Sequence, residues 1–298
     1  MKKVLVLGGT GFVGRHLCEA LNRRGIQVTV PTRRLPARSV QMLPFVTVVC
    51  ADVHDAASLR QLLPGHDAVV NLVAVLHGNA ARFEQLHVTL PTTVAQACVA
   101  SGIRRLIHVS ALGADLQGSS MYQRSKAQGE RALQSLASAR GLALTVLRPS
   151  VIFGEDDAFL NLFAKLQKLF PLMPLAGAHT RFQPVSVLDV ARAVLSALDN
   201  PRTAGQVYEL GGPEVFSLAQ LVQHAGRWAG CERPILPLPH ALGYLQALAM
   251  ECAPGEPLMS RDNLASLQTD NVLSGRLPGL AALGLGQGIS LHQTFPLP

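Results

Sequence analysis

A short apolar run, Lys3 to Leu7, ends in Gly8-Gly9-Thr10-Gly11-Phe12-Val13-Gly14, and an amphipathic stretch follows at once. No other feature of the chain constrains its folding so tightly. Glycines at three-residue spacing between a strand and a helix specify a turn with no room for side chains. Gly8 permits the turn, Gly11 lets backbone approach a bound group, and Gly14 lets the helix pack closely on the strand. The unpaired N–H groups and dipole at that helix N-terminus favour an anion, and a dinucleotide pyrophosphate fits. Thr10, Phe12 and Val13 complete the candidate phosphate loop.

Behind the loop, β-branched runs alternate with longer helical patterns. Strands are expected at Lys3 to Leu7, Gln27 to Val30, Val46 to Val49, Ala68 to Leu72, Leu106 to Val109 and Leu144 to Leu147. Helices are expected near Phe12 to Arg24, Ala56 to Leu63, Phe83 to Ser101 and Met121 to Arg140. Such alternation predicts an α/β fold with a doubly wound parallel sheet of the Rossmann type and right-handed crossovers. After Pro149 the regularity fades, which predicts a smaller, discontinuous C-terminal lobe. Residues 1–150 form the dinucleotide domain, 182–212 return to it, and 151–181 with 213–298 form the lobe. Gln183 to Asp189 and Val207 to Leu210 read as returning strands.

Composition excludes other classes. A chain 48% hydrophobic and 15% charged is not disordered. Its apolar stretches are too interrupted to span a membrane, and the Met1 to Leu7 run is too short for a secretory leader. Five scattered cysteines without C-x-x-C spacing point to a reducing, cytoplasmic setting, with most of them acting as small core hydrophobes. The histidines lack metal-binding spacings, so no metal site is expected. The net charge of +7 is spread along the chain with one Trp and three Tyr, which argues against nucleic acid as partner.

At the end of the second strand, an NAD-type site wants a carboxylate for the ribose hydroxyls. This chain has Thr32-Arg33-Arg34. Guanidinium groups pair with a 2′-phosphate that an acid would repel, so NADP(H) is favoured over NAD(H), with Arg33 first and Arg34 or Arg38 assisting. Further on, Tyr122-x-x-x-Lys126 places a phenol and an ammonium on one helix face. Such a cation favours phenolate and lowers the phenol pKa toward a range useful for acid/base catalysis.

The loop, the Tyr122/Lys126 pair, Leu147-Arg148-Pro149-x-x-x-Phe153-Gly154 and Phe182-x-Pro184-Val185-x-Val187-x-Asp189-Val190-Ala191 resemble the short-chain dehydrogenase/reductase superfamily, in its extended and atypical members. The resemblance runs from residue 1 to about 220 and includes Tyr208-x-x-Gly211-Gly212-Pro213. It implies that Tyr122 transfers a proton, that Lys126 also holds the nicotinamide ribose, and that a hydroxyl near Ser110 binds the substrate oxygen. By the same likeness Asp52 and Val53 face the adenine, Leu72, Val73 and Ala74 line the ribose, and Pro149 and Val151 border the nicotinamide. The catalytic tetrad is incomplete: the family hydroxyl falls nearer Ala111 than Ser110, and His87 stands in the stretch where relatives carry Asn. Ser110 either substitutes or only ends its strand.

The tail residues Met259 to Leu264 add a resemblance to bacterial relatives of the NADPH-binding accessory subunit of respiratory complex I. Two functions are therefore expected. One is an NADP(H)-dependent oxidoreductase or epimerase-like enzyme using Tyr122, Lys126 and Ser110. The other is a non-catalytic NADP(H)-binding accessory or regulatory protein tied to complex I or ubiquinone biosynthesis. Partners in either case are the nicotinamide dinucleotide, a quinone-related or other lipophilic molecule, and a respiratory complex or the inner face of the membrane. Phe159 to Phe170 and Ala241 to Met250 are apolar enough to wall a lipophilic pocket or meet a membrane, or simply to pack the lobe onto the sheet.

Overall fold

The computed structural model describes residues 1–252 and 257–296 of the chain. Its first half alternates strand and helix. In order come β1 (Lys3–Leu7), α1 (Phe12–Arg23), β2 (Gln27–Thr32), α2 (Arg38–Gln41), β3 (Val46–Cys50), α3 (Ala56–Leu62) and β4 (Ala68–Asn71). Then follow α4 (Ala80–Phe83), α5 (Leu90–Ala100), β5 (Arg105–Val109), α6 (Met121–Arg140) and β6 (Ala143–Pro149). The second half holds β7 (Ile152–Phe153), α7 (Leu160–Leu169), β8 (Met173–Ala176), β9 (Arg181–Phe182), β10 (Val185–Ser186), α8 (Val187–Asp199) and β11 (Val207–Leu210). It closes with β12 (Phe216–Ser217), α9 (Leu218–Trp228), β13 (Ile235–Leu238), α10 (His240–Glu251), α11 (Arg261–Ser266) and α12 (Leu291–Thr294).

Seven strands form one parallel sheet in the order β11-β6-β5-β4-β1-β2-β3. The order reverses between β1 and β4, where a doubly wound sheet opens its crevice at the carboxyl ends of the strands. Alternation along β1 divides the core. Val4 and Val6 face a layer with α1 and α8, including Leu17, Leu21, Val190 and Val194. Leu5 and Leu7 face the layer of α3, α5 and α6, including Leu59, Val94 and Leu133. A third cluster, with Phe153, Leu160, Leu221 and Phe295, builds the smaller lobe.

Two expectations change. Val207–Leu210 does return to the sheet, pairing with β6 from Val207↔Val146 to Leu210↔Pro149. Gln183 to Asp189 does not: Val185 and Ser186 pair with Ile152 and Phe153 in a separate two-stranded ribbon, and α8 begins at Val187. Ser186 caps that helix by accepting from Leu188 N–H, and its apolar residues recur at helical spacing. The expected helix from Phe83 to Ser101 is interrupted by a wider π turn over Glu84–Thr89. Pro91 is the cause, because it lacks the N–H that would bond the carbonyl of His87 and its ring crowds that carbonyl. The freed His87 carbonyl presses on α6, where a Cβ at Gly129 would overlap it.

Candidate functional site

The glycine loop is built by exclusion of side chains. Gly8 has φ +80°, and Gly11 N–H donates to its carbonyl at 3.0 Å. A Cβ at Gly14 would overlap the Gly8 carbonyl and lie 2.6 Å from Gly9 backbone. Gly9, to which the spacing assigned no task, lies so close to β2 that a Cβ would be 2.7 Å from a Val30 methyl. Leu72 stands 3.3 Å from the position of a Gly8 Cβ, so the ends of β1 and β4 meet at the crevice. A Cβ at Gly154 would lie 3.1 Å from the end of the Phe12 ring, and Arg15 Nη1 donates to Asp156 Oδ2 at 3.3 Å, joining α1 to the loop after β7.

Thr32 ends β2, and Arg33, Arg34 and Arg38 are exposed, with no ion pair among the described residues. Thr32 Oγ1 accepts the Arg34 N–H at 3.3 Å, which turns the chain just past the strand. Asp52 is exposed and accepts the His54 N–H through Oδ1, while Val53 packs half-buried on the α3 side of the core. Val73 packs in that same layer, and Ala74 is exposed beyond it.

Tyr122 and Lys126 lie one turn apart on α6. Ser120 caps the helix in a reciprocal pair with Gln123. Lys126 is only 2% exposed, and its Nζ donates to the Val109 carbonyl at 3.3 Å, at the end of β5. Burial brings that ammonium down to about 8, against the opposing pull of Glu130. Glu130 is itself buried and accepts Arg148 Nε at 3.0 Å on both oxygens, so the Leu147-Arg148-Pro149 segment is tied to α6. Ser110, 5% exposed, follows β5, and its Oγ is buried with no partner among the described residues. Its N–H donates to the Leu147 carbonyl at 2.7 Å. Pro149 and Val151 flank Ser150, whose hydroxyl donates to Asn271 Oδ1 at 2.6 Å.

The phenol differs from expectation. Burial, which penalises the charged phenolate, pushes the Tyr122 hydroxyl up to about 12 rather than down. Its ring meets His87 edge-on at 5.5 Å, and Phe83 stacks on His87 at 5.3 Å. His87 has a fixed tautomer: the Val75 N–H donates to Nε2 at 3.3 Å, so Nδ1 carries the proton and donates to Ser125 Oγ at 2.8 Å. Ser125 in turn donates to the Tyr122 carbonyl at 2.9 Å. Burial and the Lys126 charge push His87 down to about 3. His108, on β5, shares a 3.2 Å hydrogen bond with Asn71 Nδ2 and is likewise held neutral by burial.

Sequence reasoning missed the contribution of the tail. Asp262 accepts the Met121 N–H at 2.6 Å and the Tyr122 N–H at 3.0 Å, placing a carboxylate on the first turn of α6. Asn263 Nδ2 donates to the Leu76 carbonyl, and Ser119 Oγ to the Ala265 carbonyl. Asn271 donates to the Leu112 carbonyl and accepts from Val151 N–H as well as Ser150. Residues 262–271 therefore cross the carboxyl ends of β4, β5 and β6. The only signal was the polar cluster Ser260 to Asn263, and nothing in it names its partners. Asp157 is buried and caps α7 through the N–H groups of Phe159 and Leu160. Of the cysteines, Cys18 and Cys98 are buried and pushed up to about 12 by burial, whereas Cys50 and Cys252 are exposed.

The chain is 32% identical to a mouse protein, "NADH dehydrogenase [ubiquinone] 1 alpha subcomplex subunit 9, mitochondrial", over 94% of its own length and 75% of that protein's. It is 28% identical to a Caulobacter vibrioides protein named "Ceramide reductase", over 66% and 61% of the two chains. A solved UDP-glucose 4-epimerase complex with NAD from Thermus thermophilus superposes with a TM-score of 0.75 over 99% of this chain and 97% of that one, and at 20% identity it shares the fold. Residues 4–211 match the family model described as "NAD dependent epimerase/dehydratase family". The chain belongs to the NAD dependent epimerase/dehydratase family.

Proposed function

We propose that the protein binds a nicotinamide dinucleotide, NADP(H) in preference to NAD(H), and acts as an oxidoreductase or epimerase-like enzyme on a lipophilic substrate. The observation that carries this reading is the orphaned Ser110 Oγ, buried next to the carbonyl that holds Lys126, in a chain whose loop leaves no room for a Cβ at Gly9 or Gly14. Gly8, Thr10, Gly11, Phe12, Val13 and Gly14 would hold the pyrophosphate, with Arg33 and Arg34 on the 2′-phosphate. Asp52 and Val53 would face the adenine, and Leu72, Val73 and Ala74 the ribose, while Pro149 and Val151 border the nicotinamide.

The dinucleotide, when bound, supplies the hydride acceptor or donor. The chain's own groups do the rest. Lys126, near 8 in pKa, holds the ribose and its positive charge favours loss of the Tyr122 proton. Ser110 orients the substrate oxygen. The mouse relative's name places that protein in a ubiquinone-linked complex and the Caulobacter relative's names a lipid, so a quinone-like or lipid carbonyl is the substrate class proposed. The setting proposed is the cytoplasm, next to the inner face of the membrane.

A second reading rests on His87 and the tail. A neutral imidazole stands where relatives carry Asn, and residues 262–271 strap the carboxyl edge of the sheet. In that reading the bound NADP(H) stabilises an accessory subunit of a respiratory complex and is not turned over. Tyr122→Phe separates the two. Loss of NADPH oxidation with unchanged NADPH affinity supports the enzyme, whereas a wild-type protein that binds NADPH yet oxidises none across quinone and lipid carbonyl acceptors supports the accessory role. Failure to bind either dinucleotide overturns both.

A further inference from the structure

From Ala241 to Met250 the chain carries no charged residue. As α10 this segment buries only Gly243 and Ala247, while Leu242, Tyr244, Leu245 (59% exposed) and Leu248 face outward. A helix apolar on most of its circumference is ordinarily covered by protein or lipid. Its direction places it among other exposed apolar groups. Gly243 lies over Ala176, and Gln246 Nε2 donates to the Pro174 carbonyl at 3.4 Å, so α10 runs antiparallel to β8 toward Leu172. There Leu169 is 73% exposed, with Phe170 and Leu172 beside it, and Leu236 is exposed opposite Pro174.

Among the described residues, the unpaired charge assigned to this face is positive. Lys165 and Lys168 share the outer side of α7 with Leu169 at helical spacing, are exposed, and form no ion pair among the described residues. The described carboxylates of the same region, Glu232 and Glu251, are neutralised by Arg227 and Arg261. A two-fold pairing of copies through this face would bring two copies of the same positive patch into one interface. Lipid phosphate reverses that cost.

We propose that this face seats on an anionic lipid bilayer, with α10 in the headgroup plane, Leu245 and Leu248 at the acyl boundary, and Lys165 and Lys168 on lipid phosphates. It deepens the membrane-side setting proposed above and is independent of nucleotide binding. The test is flotation of the full chain with vesicles of phosphatidylcholine alone or mixed with phosphatidylglycerol, with NADPH affinity measured in parallel. Binding to the anionic vesicles is expected, lost in Leu245→Glu/Leu248→Glu and weakened about 30-fold in Lys165→Ala/Lys168→Ala, with NADPH affinity unchanged in both. The proposal is overturned if neither vesicle binds, if the glutamate variant floats like the wild type, or if sedimentation shows a dimer that the glutamates dissociate. A protein that floats but binds no dinucleotide sinks the functional reading alone.

Discussion

The two ends of the crevice are made of different material. The glycine-loop end uses backbone from seven consecutive positions, and its requirement is that side chains be missing at four of them, Gly8, Gly9, Gly11 and Gly14. The Tyr122 end uses side chains drawn from β4, β5, the π turn, α6, β6 and the tail, held by hydrogen bonds between them. A local backbone cradle can change little without collapsing. An assembly of side chains can exchange members, and His87 sits in the stretch where the family resemblance leads one to expect Asn.

The comparison breaks hardest at Gly14. Gly14→Ala forces a Cβ into the Gly8 carbonyl, and overpacking of this kind costs about 3 kcal/mol. A clear drop in melting temperature with loss of dinucleotide binding is expected, whereas a variant as stable as the wild type would mean the loop has room to spare. At the same end, Arg33→Ala/Arg34→Ala is expected to weaken NADPH binding by on the order of 10- to 100-fold while sparing NADH. Equal losses for both dinucleotides would remove the basis of the NADP(H) preference.

At the other end, Asp262→Ala leaves two N–H groups of α6 without their acceptor and is expected to cost about 1 kcal/mol, with Ser120 still capping. Denaturant unfolding measures the cost, and a larger fall in kcat than in stability would mark Asp262 as a positioning residue for Tyr122. The smallest effect concerns pH. His87 is depressed in the folded chain, so its contribution is present above the ordinary imidazole range and is lost as pH falls from about 6.5 toward 3. Buried His108 shifts in the same direction, so His87→Asn should flatten, without abolishing, the stability lost between these values. An unchanged acid limb would show that His87 takes up its proton freely in the folded chain.

The same division explains what the sequence made legible. The strands of the first half, α1 and α6 fell within a residue or two of their expected limits, because period, glycine and capping signals are local. Gln183 to Asp189 misled, since a β-branched run that crosses a helix cap reads as one strand until Ser186 is seen to accept the Leu188 N–H. The Tyr122/Lys126 spacing was visible, but the raised phenol pKa was not, because desolvation depends on Phe83 and His87 arriving from another element. Asp262 was invisible for the plainest reason: its partners lie 140 and 141 positions earlier.

That separation has a consequence for the order in which the molecule comes into being. During synthesis the glycine cradle is complete within the first few strands, and Tyr122 and Lys126 emerge soon after. The carboxylate that finishes the first turn of their helix is translated 141 residues behind Met121. A nascent chain therefore carries Tyr122 and Lys126 well before the carboxylate that completes the first turn of their helix, and the strap across the carboxyl edge of the sheet is added late.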